Sequence, residues 1–333
     1  MKKVLVLLVA LSMMAGAVFA QATIGGYVRG IGTIDEDGIT SFSSRIRLNF
    51  SAKSEDGTAM FGMRLQGSGL GNTISLDDNT FAEDDSGTDP DAFTYFNLDV
   101  NYFYGRLMLA DSKVQIDAGR LWVTDYDICS GISDYYLGNV ENYVSSFVFF
   151  WENGLALQVL PIDGLRAGVV FIPNESIGLE DFGAGAMYSI EGIGDAIVTA
   201  RFAEEFKDSE LNASFSYTGV ENLSASVGYK GLVNHTLYGI VNYGMDALTV
   251  NVAPMYDFTA ETFYGEASIQ YVLSDAFDVI GLFAYDQSSA ILDAKYMAGF
   301  EGRVKTGGSY FWIAPYYLGD VGFKLDLGVR VNF

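Results

Sequence analysis

The last residues of the chain alternate strictly between apolar and polar positions. From Phe323 to Phe333 the odd-numbered residues are apolar, and the even-numbered ones are polar or glycine. A period of two is typical of a β-strand with two different faces. At the end of a water-soluble sheet such a strand would expose an adhesive edge. In a bilayer it can close a barrel, with its apolar side toward lipid and its polar side toward a wet lumen.

Similar strand patterns recur along most of the chain, with turn residues between them. In one early segment Phe61 and Met63 alternate with Arg64 and Gln66, so we expect the apolar pair outside and the polar pair inside. The pattern predicts an all-β fold, a transmembrane antiparallel up-and-down β-barrel of about 16 strands, within a range of 16 to 18. A barrel of that width holds an aqueous channel.

Two long segments interrupt the strand pattern. Residues 69–91 are rich in Asp and Glu, and residues 123–143 lack strand periodicity. We interpret the acidic segment as a solvated outer loop. Whether it also binds Ca²⁺ or a surface ligand stays open, because its spacing does not match an EF-hand.

The first twenty residues predict export. Lys2 and Lys3 precede an apolar run that ends in small residues at Ala20. This pattern is typical of a signal peptide, here residues 1–20, cleaved after Ala20 to leave one barrel domain, residues 21–333. An uncleaved anchor helix fits less well, because the run is too short to span a bilayer comfortably. Export and a barrel together predict the outer membrane of a Gram-negative-type bacterium.

The composition agrees with strands rather than helices in the membrane. Half of the residues are hydrophobic and the mean hydropathy is +0.20, yet apolar and polar residues are interleaved after the first segment. Membrane helices need about 18 or more consecutive apolar residues. Aromatic residues make up 14% of the chain, which is typical of the aromatic girdles of barrels.

The net charge and the rare reactive residues limit the function. The formal charge is −23, and loss of Lys2 and Lys3 would take it to −25. Such acidity argues against nucleic acid as a partner and for a pore that prefers cations. Cys129 and His235 are each the only residue of their type. We therefore expect no disulfide, no catalytic residue, no metal site and no cofactor, and we do not expect an enzyme.

Two further features resemble outer-membrane proteins of known families. The terminal Phe333 resembles the assembly signal of outer-membrane barrels. The segment from Asp117 to Asp127 resembles the Gly-Arg-Gln passage of general bacterial porins, which ends the fifth strand and begins a loop that folds into the pore. Gly119 and Arg120 match that passage, whereas Leu121 replaces the glutamine.

The resemblance implies a constriction inside the barrel, where acidic residues of the inward-folded loop face basic residues of the wall. The acidic candidates are Asp125, Asp127, Asp134 and Glu141. The basic candidates are Arg45, Arg47, Arg64 and Arg120. Opposed charges at a narrow point would set up a field across the path of a solute. The alternative is that these residues form ion pairs that stabilise the loop.

The sequence thus favours a porin, a passive diffusion channel for small hydrophilic solutes and ions with a preference for cations. The main alternative is a surface adhesin or structural barrel without a conducting pore, and a barrel hydrolase comes third. Expected partners are outer-membrane lipid, the barrel-assembly machinery, solutes and cations. A homotrimer is implied by the resemblance alone. The sequence leaves open the solute, the exclusion size and the exact strand number.

Overall fold

The described part of the chain folds as one closed antiparallel sheet of 18 strands. The computed structural model describes residues 19–36, 38–71, 97–121, 153–172, 181–202, 209–232 and 235–333. Each strand pairs with its neighbours in sequence, and the last strand pairs with the first. This is the expected up-and-down barrel, with the strand number at the upper end of the expected range.

The strands are numbered in chain order and most contain about ten residues, the length that crosses a bilayer when tilted. Their bounds are β1 Phe19–Asp35, β2 Gly38–Ser54, β3 Ala59–Gly71, β4 Asn97–Leu109, β5 Val114–Arg120, β6 Asn153–Ile162, β7 Leu165–Ile172, β8 Asp181–Ile190, β9 Gly194–Phe202, β10 Glu210–Val220, β11 Leu223–Leu232, β12 Thr236–Met245, β13 Leu248–Asp257, β14 Thr262–Ser274, β15 Phe277–Asp286, β16 Tyr296–Thr306, β17 Ser309–Leu318 and β18 Gly322–Asn332.

The barrel closes at a seam between β1 and β18. The register runs from Tyr27 opposite Asn332 to Ile34 opposite Leu325. The backbone N–H of Phe333 donates to the carbonyl of Gly26 at 3.1 Å, and the N–H of Gly26 donates back at 3.0 Å. The last strand therefore closes the barrel against the first, as its alternating pattern predicted.

The two rims of the barrel differ in the length of their connections. On the rim that carries the first residues of β1 and the last of β18, tight turns join the strands, such as Glu221–Asn222 and Gly307–Gly308. Asn222 and both glycines adopt positive φ, as tight hairpins require. The ends of β3, β4, β5 and β6 that residues 72–96 and 121–152 connect lie at the opposite rim. The second of these connections follows the fifth strand, where the sequence predicted a long loop.

The outer face is apolar and carries aromatic side chains near both ends of the strands. Ile269 and Val227, for example, are about half exposed, as expected for side chains that contact lipid rather than a core. Near the rim with tight turns lie outward Tyr188, Tyr217, Tyr243 and Tyr271, and near the opposite rim lie Tyr229, Tyr256, Phe263, Tyr285, Tyr296 and Tyr317. Two aromatic belts of this kind are typical of the two membrane interfaces.

Candidate functional site: the inner wall of the barrel

The inner face of the strands carries most of the polar side chains of the sheet. Asn212, Lys230, Glu266 and Ser268 point inward and are each at most 5% exposed, as the strand pattern predicted. Tyr238 donates its hydroxyl to Oδ1 of Asn212 at 3.1 Å across the wall. Polar groups on the inside and apolar groups on the outside are the arrangement of a membrane barrel with a wet interior.

Several basic side chains of this wall are neutralised by carboxylates. Arg106 makes two bonds to Asp117, Nε to Oδ1 at 2.8 Å and Nη2 to Oδ2 at 3.0 Å. Three further ion pairs join Lys305 to Asp278 at 3.0 Å, Lys230 to Glu210 at 3.1 Å, and Arg303 to Glu301. These pairs connect neighbouring strands or successive inward positions, so they stiffen the wall without adding net charge to it.

One sector of the inner wall is apolar. On β15, Ile280, Leu282 and Ala284 point inward and are at most 6% exposed, although their strand also carries apolar residues outside. Leu121, the first residue after β5, is 1% exposed and belongs to the same buried cluster. The expectation of a polar inner side thus holds for β10, β11 and β14 but only in part for β15, where aliphatic residues occupy the inward positions between Asp278 and Asp286.

A different sector, at the seam, is basic. The backbone register places Arg29 directly opposite Arg330 on one side and directly opposite Arg45 on the other. Side chains directly opposite in an antiparallel pair share one face, about 4.5–5.5 Å apart at Cβ. Three arginines therefore form a row across β18, β1 and β2, which we name the seam row: Arg330, Arg29 and Arg45.

Uncharged groups hold the arginines next to the seam row. Arg47 donates from Nε and Nη2 to Oε1 of Gln66 at 3.0 and 2.8 Å, and Arg64 donates from Nε to Oδ1 of Asn49 at 2.8 Å. The ring of Tyr27 lies 5.1 Å from the guanidinium of Arg47 and 4.1 Å from that of Arg330. Amide oxygens and aromatic rings thus contribute to the orientation of these side chains.

The structure brings three of the four predicted basic residues together. Arg45, Arg47 and Arg64 lie at inward positions of β2 and β3. Arg120 is placed differently, since its register partner is Phe103, an outward residue, and its Nη1 donates to the carbonyl of Val100 at 2.8 Å. Gly119 before it has a φ of +132°, and a Cβ there would meet the carbonyl oxygen of Phe103 at 2.3 Å. The predicted acidic residues Asp125, Asp127, Asp134 and Glu141 lie outside the described residues.

Sequence reasoning missed part of this site. The alternating pattern predicts Arg330 on the inward face of the last strand but does not add it to the basic wall, and no pattern singles out Tyr27. The signal was present, because closure of the barrel pairs β18 with β1. Only the register, however, places Arg330 beside Arg29 rather than two residues away.

Comparison with solved structures agrees with this geometry. A mutant of Rhodopseudomonas blastica porin superposes with a TM-score of 0.55 at 15% identity, covering 94% of this chain and 100% of the porin. A triple mutant of the same porin gives 0.53 at 16% identity with the same coverage. The fold is that of a porin. A third structure, described as "Asymmetric conductivity of engineered proteins", also gives 0.53 at 16% identity with the same coverage. No protein-family model and no curated protein matches the sequence.

The described part of the chain was compared with the requirements of a metal centre and of a membrane-spanning helix, and it meets neither. Within the described ranges, no group of three or more His, Cys, Asp or Glu side chains is placed to hold a metal ion. Among the same residues, no helix is long and apolar enough to cross a membrane.

Proposed function

We propose that this protein is an outer-membrane porin through which small hydrophilic solutes and ions diffuse passively. One observation carries the proposal: a closed barrel of 18 strands has an apolar outer face and an inner face that holds most of its polar residues. Barrels of about this strand number leave an aqueous channel, whereas about eight strands fill their own interior. The porin fold supports a channel rather than an enzyme, and we propose no catalytic group.

The inner wall argues against a barrel that only displays its loops. An adhesin or structural barrel needs no continuous polar surface inside. Here the hydroxyl and amide groups of Ser224, Asn242, Asn251 and Ser268 lie opposite one another across the four neighbouring strands β11 to β14. Such groups replace part of the hydration of a passing solute without binding it tightly, as diffusion requires.

We further propose that the segment after β5 narrows the channel. Its position between the fifth and sixth strands supports this, and so does the burial of Leu121 in the cluster that includes inward Ile280 and Ala284. In this proposal Asp125, Asp127, Asp134 and Glu141 face Arg45, Arg47 and Arg64 across the narrowest point. The role of Arg120 there stays a prediction.

The preference for cations is a proposal from charge. The formal charge of −23 is concentrated in the connections, for example at Asp77, Asp78, Glu83, Asp84 and Asp85. Acidic groups at a mouth raise the local concentration of cations and the rate at which they enter. The positive charge of the seam row opposes this attraction inside the barrel, so we expect only a moderate preference for cations.

Location and assembly complete the proposal. We propose that residues 1–20 direct export and are removed, and that Phe333 is read by the barrel-assembly machinery before insertion into outer-membrane lipid. Cleavage after Ala20 removes only the first two residues of β1, so the seam register from Tyr27 onward is unaffected. A homotrimer is proposed from the family resemblance.

Liposome swelling tests the proposed function. Proteoliposomes that contain the refolded barrel should swell in isotonic solutions of small neutral sugars, at rates that fall as sugar size rises. Liposomes prepared with heat-denatured protein provide the control. Swelling no faster than in the control, with the barrel shown to be folded by its heat-dependent gel migration, would favour the adhesin or structural barrel.

A further inference from the structure

The connection between β15 and β16, residues 287–295, is partly buried although it lies beyond the ends of its strands. Ala294 is 3% exposed, and Leu292 packs against the buried apolar cluster that includes inward Met297. In the neighbouring connection between β13 and β14, residues 258–261 are all exposed. Both connections belong to the rim opposite the tight turns. The β15–β16 connection therefore folds back onto the barrel rather than extending away from it.

One carboxylate shows toward which side this connection folds. Asp286 ends β15 two residues after inward Ala284, so its side chain points into the barrel, where it is 1% exposed. Its Oδ2 accepts the backbone N–H of Ile291 at 2.7 Å and that of Leu292 at 3.1 Å. Its Oδ1 accepts the N–H of Ser288 at 3.0 Å and the hydroxyl of the same serine at 2.7 Å. Groups this close to an inward carboxylate lie on the lumen side of β15, so the connection turns into the mouth of the barrel.

The connection is held at both ends as well as in its middle. The backbone N–H of Asp286 donates to the carbonyl of Lys295 at 2.9 Å, and that of Gln287 donates to the carbonyl of Phe263 on β14 at 3.0 Å. A buried carboxylate is costly unless it is hydrogen-bonded, and its bonds are stronger than those between neutral groups. The four bonds to Asp286 therefore stabilise one position of the connection. We name residues 288–294 the mouth strap.

We propose that the mouth strap narrows the entrance of the channel at this rim and so limits the size of the solutes that enter, with Asp286 as the residue that positions it. The strap is distinct from the segment after β5, because it joins a different pair of strands and is held by its own carboxylate. A strap that is fixed in place excludes large solutes, whereas a loose connection would move aside. The proposal rests on the pore function proposed above, and it adds an element of that pore that selects by size.

Hydrogen exchange tests the bonds to Asp286 without the need for a channel. The folded full-length barrel is exchanged in detergent, and the peptide that covers residues 287–295 is followed by mass spectrometry. Its amides should exchange about tenfold faster in Asp286→Ala than in wild type, because three N–H groups lose a charged acceptor. Heat-dependent gel migration shows that each variant is folded before it is measured.

Asp257→Ala is the matched control, because Asp257 has the same place in the neighbouring connection. It ends β13, and its Oδ1 accepts the N–H groups of Thr259 at 2.8 Å and Ala260 at 2.9 Å, but the residues that it holds are exposed. The variant removes the same charge from the same rim. It should leave both the exchange of residues 287–295 and the channel unchanged.

A shortened barrel tests the narrowing itself and does not depend on the folding of Asp286→Ala. Residues 287–294 are replaced by Asn-Gly, a two-residue turn that fits between the directly paired Asp286 and Lys295. Single-channel conductance should rise above that of wild type, and proteoliposomes should admit larger neutral sugars. Asp286→Ala should change both properties in the same direction, but less.

The outcomes separate the strap from the pore. Equal exchange of residues 287–295 in folded wild type and Asp286→Ala overturns the role of Asp286. A shortened barrel with the conductance and the sugar limit of wild type overturns the narrowing. Faster exchange in Asp286→Ala, in a barrel that conducts in no variant, supports the role of Asp286 and contradicts the pore. Current from the shortened barrel alone would overturn a size limit, because the strap would then close the mouth completely.

Discussion

At the scale of single residues, glycine leaves room for large rings on the inner wall. Gly228 lies opposite Tyr238, and Gly328 lies opposite Trp312. A Cβ on Gly228 would lie 2.1 Å from Cζ of Tyr238, and one on Gly328 would lie 2.0 Å from Cζ2 of Trp312. Both rings are nearly buried because they lie flat over a neighbour without a side chain. An aromatic ring that covers a glycine across the sheet is a known way to stabilise a barrel strand.

Substitution at Gly328 should therefore destabilise the barrel. Gly328→Ala should lower the free energy of unfolding by about 1–3 kcal/mol, the usual cost of overpacking, because Trp312 has to move. Guanidinium unfolding in detergent, followed by tryptophan fluorescence, measures the change.

Gly244→Ala is the matched control for that experiment. Gly244 also points inward, but a Cβ there meets no atom within 4 Å, so the variant should unfold like wild type. Equal stability of both variants would show that the contact between Gly328 and Trp312 does not constrain the fold.

At the scale of single strands, β18 combines lipid contact outside with the seam inside. Phe333 is 59% exposed and its backbone completes the pairing with Gly26. We propose that its side chain is an assembly signal. Strand β18 also completes the basic part of the inner wall, because the seam row that contains Arg330 forms only when β18 pairs with β1.

Changes at Phe333 should stop assembly. Deletion of Phe333, or Phe333→Asp, should leave unassembled protein in the periplasm, because a charge on the lipid face is costly and the signal is lost. Cell fractionation with heated and unheated gel samples measures this outcome. Phe323→Leu, at the opposite end of the same outward face, serves as the control and should assemble. Normal outer-membrane barrel from the Phe333 variants would count against the assignment.

The proposal that the connection between β5 and β6 narrows the channel can be tested by current measurements. If residues 123–143 lie in the lumen, shortening them should raise single-channel conductance, and Asp125→Asn/Asp127→Asn should reduce cation preference. A charged thiol reagent on Cys129, the only thiol, should change the current as well. A channel unaffected by all three changes would place the segment on the outer surface.

The alternation of apolar and polar residues explains why the inward and outward faces of most strands could be predicted from the sequence. Asn212 and Lys230 inside, and Leu211 and Val227 outside, follow from a period of two that lipid and water enforce on every strand. The alternation does not fix the register between neighbouring strands, so the contact of Arg330 with Tyr27 could not be predicted. The aliphatic inward residues in the middle of β15, Ile280, Leu282 and Ala284, were also unpredictable, because a stretch with apolar residues on both faces gives no alternation.

At the scale of the whole molecule, the charge is unevenly distributed. The excess of acidic residues lies largely in the connections and turns, whereas the basic residues of the strands are concentrated inside: Arg29, Arg45, Arg47, Lys53, Arg64, Arg106, Arg166, Arg201, Lys230, Arg303, Lys305, Lys324 and Arg330. The negative net charge therefore reflects the connections at the ends of the barrel, whereas the inner wall carries most of the basic residues of the strands. The selectivity of the pore depends on which of the two dominates the field at the narrowest point.

Planar-bilayer recording of the purified barrel under a KCl gradient shows whether the barrel conducts and which ion it prefers. A cation-preferring porin should give stable stepwise currents that rise linearly with voltage, and a reversal potential that favours K⁺ over Cl⁻. This preference should weaken near 1 M salt, where the Debye length falls to about 3 Å. A folded, inserted barrel that gives no current steps at any voltage would contradict the porin, and steps that favour Cl⁻ would show that the seam arginines outweigh the acidic connections.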